Sequence, residues 1–183
     1  MYNEIPEISN MFNILLGNET SCCKCGQILS SQSQNYNVVT LSIKENCIVD
    51  IKTALESTFC DEIIDFACNH CGHNLASVKN FIATTSDYLV IQLKRFKFIS
   101  KKQQTKKLFK NILCDGIIEL KCCGGRSLYE LISVVDHLGY DNQGHYVCNL
   151  KINNKRFNTN DHMVTEIQDI SNSNSQKHLF IDV

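Results

Sequence analysis

Read for the spacing of its apolar residues, the chain falls into short alternating runs rather than long helical ones. Residues 129–146, Tyr-Glu-Leu-Ile-Ser-Val-Val-Asp-His-Leu-Gly-Tyr-Asp-Asn-Gln-Gly-His-Tyr, read as a strand, a tight polar turn and a returning strand. Leu131 and Val135 alternate with polar positions, and Gly139 and Gly144 bracket a turn vocabulary that permits positive φ. Upstream, 36–43 alternates with Val39, Leu41 and Ile43 on one face. Residues 77–84 and 87–96 read as consecutive strands, the second with Leu89, Ile91 and Leu93 inward. A return strand over 107–113 and a closing strand over 178–183 continue the pattern, with a polar loop at 171–175. Helical spacing shows at Ile51, Leu55 and Phe59, with Asp50 as the N-cap. Past Pro6, the patch at 11–16 leads into a first strand or helical turn.

With 183 residues, 43% hydrophobic and 20% charged, the chain suits one globular domain that buries roughly 70% of its unfolded surface. A formal net charge of -1 argues against nucleic-acid or membrane-surface binding. No apolar run approaches the roughly 20 residues of a membrane span, and no basic-then-apolar signal opens the chain. The lysine-dense stretch 97–110, which includes Lys101, Lys102, Lys106 and Lys107, reads as a solvated hairpin tip.

The 11 cysteines change this picture. An odd count with Cys-x-x-Cys spacing points to reduced thiols and a metal in the cytosol or nucleus, not to a secreted disulfide framework. Cys22 and Cys25, closed by Gly26, match Cys68 and Cys71, closed by Gly72. Two such knuckles supply four thiolates for one tetrahedral zinc ion. His70 and His73 are possible substitute ligands, and Cys23 and Cys60 are bystanders. Cys122 and Cys123, followed by two glycines, read as a reduced turn.

His145, behind the glycine turn and at the mouth of a strand, is suited to be a general base, because histidine is the side-chain type that ordinarily exchanges a proton near neutral pH. The polar groups at 159–162 could pair back against it. A cysteine protease needs such a base, with a third group to fix the imidazole tautomer.

The run Tyr129-Glu-Leu, Val134-Val, His137-Leu-Gly and Gly144-His-Tyr, followed by Asn160-Asp-x-x-Val164, resembles the histidine box of the ubiquitin-specific proteases. These are papain-like cysteine enzymes that cleave ubiquitin from its conjugates. Leu93-Lys-Arg-Phe96 and the paired knuckles are similar to further family signatures, so the resemblance runs from about Phe12 to Val183. It implies an α+β fold: a mainly antiparallel β palm and zinc-tied β fingers, with the helical thumb absent. Residues 1–183 would then be a single incomplete catalytic domain, with fingers over about 17–85 and palm over about 86–183. His145 takes the place of the base, Asn160 that of the orienting residue with Asp161 beside it, and alignment on Phe157 would nominate Asn158 instead.

Departures from the family pattern bear on function. Where the family has Gly-Asn-Thr-Cys-Tyr before its catalytic helix, 17–26 reads Gly-Asn-Glu-Thr-Ser-Cys-Cys-Lys-Cys-Gly, with no helical segment after it. Arg156 replaces a tryptophan, Thr159 a phenylalanine, and Ser86-Asp87 a turn with proline. The first expectation is a truncated or divided deubiquitinase acting on ubiquitin or ubiquitinated proteins. Met1 is then not the natural start of the functional unit, and a separate N-terminal segment carries the nucleophile. The alternative is a non-catalytic ubiquitin-binding module; a zinc-stabilised structural domain is a third class.

Overall fold

The computed structural model describes residues 10–43, 49–100, 104–108, 112–114, 116–140, 143–168 and 177–182. Pro6, Lys101, Lys102, Asp141, Asn142 and the loop at 171–175 lie outside the described residues. Among the described residues the fold is mainly antiparallel β with two short helices, as the alternating runs and the resemblance predict.

A helical turn at 10–12 leads into β1 (Ile14–Cys22), β2 (Ile28–Tyr36) and β3 (Val39–Ser42). Then come β4 (Val49–Asp50), α1 (Ile51–Thr58), β5 (Glu62–Asp65), β6 (Leu75–Thr84) and β7 (Tyr88–Lys94). The hairpin of β8 (Phe96–Ile99) and β9 (Gln104–Lys107) precedes β10 (Ile112–Leu113) and β11 (Ile117–Cys122). The chain ends in β12 (Gly125–Tyr140), β13 (Gln143–Ile152), β14 (Lys155–Asn160), β15 (Met163–Ile167) and β16 (Lys177–Asp182).

Two sheets organise these elements. The first has the order β2-β1-β6-β5; the second runs β15-β14-β13-β12-β16-β7-β3, with β11 also paired to β12. β12 is 16 residues long, so it holds β11 at its start and β13 and β16 farther on, across a register shift between Leu131 and Ser133. Helix α1 begins where the Asp50 carboxylate accepts the N–H groups of Lys52 and Thr53. Ile51 and Leu55 then pack with Val39, Leu41, Leu89, Ile91 and Leu93, all buried as the alternation predicts. The turn before β7 forms without proline: the Ser86 hydroxyl donates to the Tyr88 carbonyl and Tyr129 Oη to the Ser86 carbonyl, each at 2.7 Å.

Three expectations need correction. The run 36–43 is not one strand: Tyr36 ends β2, and only 39–42 pairs with β7. β2 left no alternation to read, because both of its faces are exposed. Lys107 is not a solvated tip residue but is 1% exposed, with its ammonium turned into the sheet. The single return strand over 107–113 is instead the end of β9 and the separate β10, which pairs in parallel with β4.

Candidate functional site

The β12–β13 hairpin sets His145 opposite Leu138. β13 pairs with β14 so that Asn149 faces Asn158; with a side-chain period of two, His145, Val147, Asn149, Asn158 and Asn160 share one face. β14 turns into β15 over two residues, the first of which, Asp161, has a left-handed φ of 50° that aspartate tolerates. That turn brings Asn160 Oδ1 to 2.6 Å from His145 Nε2, and Asp161 Oδ2 to 3.9 Å from the same nitrogen. With the amide oxygen as acceptor, Nε2 carries the proton and Nδ1 keeps its lone pair.

Asn158 goes elsewhere. Its Nδ2 donates to Asn149 Oδ1 at 2.7 Å, and Asn149 Nδ2 donates to Asp136 Oδ2 at 3.2 Å. Asp136 and Asn149 are buried. Burial lowers the buried Arg95 guanidinium to about 10, and the negative Asp136 opposes that shift. Of the two asparagines, Asn160 is the one that reaches the ring.

On the opposite face His137 braces the same hairpin. Its ring lies 4.7 Å from that of Tyr146, and a Cβ on Gly144 would stand 1.7 Å from its Nε2. The Lys107 ammonium donates to His137 Nδ1, to the His137 carbonyl at 3.2 Å and to the Gly139 carbonyl at 2.7 Å. Burial first, and then the Lys107 charge, hold the His137 imidazole below its ordinary range. Sequence reading missed Asp136, His137, Asn149 and Lys107. For Asp136, His137 and Asn149 the one legible signal is a polar residue beside apolar neighbours in a strand; Lys107, in the all-polar β9, offers none.

The four knuckle cysteines come together, their sulfurs within 4.8 Å of one another. Cys22 Sγ to Cys71 Sγ is 3.5 Å and Cys25 Sγ to Cys68 Sγ is 3.8 Å. Sulfurs at the corners of a tetrahedron with Zn–S bonds of about 2.3 Å stand about 3.8 Å apart, so the cluster fits a zinc ion. The two knuckles have the same backbone. Cys22 N–H donates to the Gln27 carbonyl and Gly26 N–H to the Cys22 carbonyl; Cys68 N–H donates to the His73 carbonyl and Gly72 N–H to the Cys68 carbonyl. Gly26 and Gly72 have φ of 71° and 68°, which explains the glycine after each pair. Hydrogen bonds to the thiolate from backbone N–H groups, Cys25 first, draw Cys22 down to about 6 against the effect of burial. His70, His73, Cys23 and Cys60 contribute no atom to this cluster.

Cys148 alternates to the face opposite His145, where its Sγ is 3.1 Å from Ser133 Oγ. Cys123 lies in the β11–β12 turn. The Gly17–Cys22 stretch, which stands in place of the family's nucleophile segment in composition only, lies in β1 rather than ahead of a helix. A cavity of about 720 Å³ opens elsewhere, between α1, β6 and β11.

The chain is 28% identical over 151 residues to ubiquitin carboxyl-terminal hydrolase 9 of Saccharomyces cerevisiae, covering 77% of this chain and 20% of that protein. It is 27% identical over 158 residues to ubiquitin carboxyl-terminal hydrolase 46 of Caenorhabditis elegans, covering 80% and 36%. Its fold is similar to that of Ubp8 in a SAGA DUB module bound to monoubiquitin, with a TM-score of 0.84 and 26% identity over 94% of this chain and 41% of that one. The chain thus spans less than half the length of these relatives. A sequence profile described as ubiquitin carboxyl-terminal hydrolase matches residues 3–180. The chain belongs to the ubiquitin carboxyl-terminal hydrolase family, as a ubiquitin-specific-protease-like domain.

Proposed function

We propose that this chain is the fingers and palm of a deubiquitinase, one catalytic domain with fingers over about 17–85 and palm over about 86–183. It holds ubiquitin and presents a base to a cysteine thiol contributed from outside these 183 residues. The observation that carries the reading is the 2.6 Å contact between His145 Nε2 and Asn160 Oδ1. Asn160 fixes the tautomer, so Nδ1 takes the proton of the incoming thiol. The thiolate attacks the carbonyl carbon of ubiquitin's last glycine, and the imidazolium returns its proton to the leaving amine as the C–N bond breaks. Water, deprotonated by the same histidine, then cleaves the thioester to free the thiol. Asp161 stands beside Asn160, with its Oδ2 3.9 Å from His145 Nε2. Cys22, Cys25, Cys68 and Cys71 hold a structural zinc as thiolates and take no part in the chemistry. Their reduced state fits the cytosol or nucleus.

Ubiquitin as partner rests on the bound structures of the relatives, with monoubiquitin and with ubiquitin aldehyde. Titrating isotopically labelled ubiquitin with the zinc-loaded chain should shift resonances with a Kd of about tens of micromolar, since buried area alone does not fix affinity. No shift at about millimolar protein would withdraw the proposal. The chain alone should neither hydrolyse a fluorogenic ubiquitin substrate nor take up a thiol-directed ubiquitin probe; labelling of one of its own cysteines would remove the need for an outside thiol. If ubiquitin binds but a relative's nucleophile-bearing segment restores no hydrolysis, the chain is a non-catalytic ubiquitin-binding module.

A further inference from the structure

β2 is the least guarded element among the described residues. It is nine residues long, pairs with β1 on one side only, and all but Leu29 are exposed. Edge strands are ordinarily protected from pairing with other chains by charge, proline, shortness or a bulge. From Gly26 to Ile43 this chain has no charged residue and no proline. The one irregularity sits at the start of the strand, where Thr20 faces Ser30 and Ser21 faces Ile28, so 30–36 is a regular open edge.

We infer that this edge joins a second copy of the chain by antiparallel strand pairing centred on Ser33, continuing the two four-stranded sheets as one. The lack of charge along the edge suits a second copy as the occupant. A twofold axis through Ser33 sets Gln32 opposite Gln34, Ser31 opposite Asn35, Ser30 opposite Tyr36, and Ser33 opposite itself. The register with β1 puts Ser30, Gln32, Gln34 and Tyr36 on one face and Ser31, Ser33 and Asn35 on the other, so each pair shares a face. Every pair is uncharged and most can hydrogen-bond across the strands, so a copy meets no like charge. The contact is isologous and closes on itself, giving a dimer rather than a fibre. This inference does not depend on the proposed function, because neither the cysteine cluster nor His145 lies in β2.

The test is sedimentation of the zinc-loaded 183-residue chain from about 1 to a few hundred micromolar, a span that covers micromolar affinities. The mass should rise from 20.8 kDa toward twice that value. Ser33→Lys and Ser33→Glu, each placing like charges face to face on the axis, should weaken the dimer at least tenfold, and mixing the two variants should restore it as a heterodimer. The double variants Ser31→Lys/Asn35→Lys and Ser31→Glu/Asn35→Glu repeat the exchange one pair away, should a Ser33 variant fail to retain zinc or its melting transition. A single 20.8 kDa species throughout overturns the inference. So does a dimer indifferent to the Ser33 charges, or a mixture that does not recover; an edge that takes up only an extended peptide of another protein would give the first of these results.

Discussion

Asn158 and Asn160 stand two positions apart on one face of β14, yet their amides have different tasks. Asn158 is tied through Asn149 to the buried Asp136, while Asn160 meets the exposed His145 ring. The two should therefore respond differently to truncation. Asn160→Ala should shift His145 toward the Nδ1–H tautomer, read in long-range ¹⁵N–¹H spectra, with little change in the urea midpoint. Asn158→Ala should leave the tautomer alone and cost about 1–3 kcal/mol, because Asn149 loses its donor inside the sheet. If Asn158→Ala moved the tautomer and Asn160→Ala did not, the assignment of orienting residue would be reversed.

At the scale of elements, the β12–β13 hairpin is held from both faces. Gly144 is glycine because the buried His137 ring occupies the place of a side chain, and that ring is fixed by Lys107 and Tyr146. Gly17 also carries a ring above it: a Cβ there would stand 2.4 Å from Phe81 Cζ, the far end of a side chain that is only half buried. Gly144→Ala should thus cost about 1–3 kcal/mol of overpacking and Gly17→Ala clearly less, compared by chemical denaturation. Equal costs would show that the His137 ring can move aside.

The same hairpin gives a pH dependence. His137 is held neutral in the fold, its imidazole below its ordinary range, so the unfolded chain takes up the proton first. Its contribution to stability is full above about pH 6.5, the ordinary histidine value, and is lost as the pH falls below it. Melting temperatures between pH 7.5 and about 5 should fall with acid, and His137→Phe should flatten the slope. A variant that kept the full slope would place the titrating group elsewhere.

For the whole molecule, the four-cysteine cluster and the histidine box lie on different sheets. Cys22 closes β1, Cys25 follows it, and Cys68 and Cys71 lie between β5 and β6, so a metal held by the four would tie three strands of the smaller sheet. Structural zinc contributes about 10–16 kcal/mol in isolated finger peptides. Chelation should release amides of β1, β5 and β6 to hydrogen exchange first, while β12 and β13, packed on Tyr129, Leu131 and Val134, keep their protection longer. Uniform loss over both sheets would mean that the metal supports the entire fold. A melting curve indifferent to chelator, or purified protein without zinc, would count against a structural zinc altogether.

What the sequence determined by itself was whatever local chemistry repeats. The two Cys-x-x-Cys-x₀-Gly knuckles, the Asp50 cap and the inward alternation of Leu89, Ile91 and Leu93 each depend on a few neighbouring residues, and each is found in the fold. The Gly-His-Tyr and Asn-Asp motifs likewise pointed to one family, to which the chain belongs. Tertiary structure decided what depends on partners distant in sequence. β2 and β5 carry no periodicity because both their faces are exposed, so only pairing with β1 and β6 makes them strands. Lys107 reads as one lysine among several until the carbonyls of His137 and Gly139, some 30 positions on, draw its ammonium inside. The choice between Asn158 and Asn160 for contact with His145 was likewise set by sheet register: alignment offered both, and only pairing across β12, β13 and β14 gives each amide its own partner.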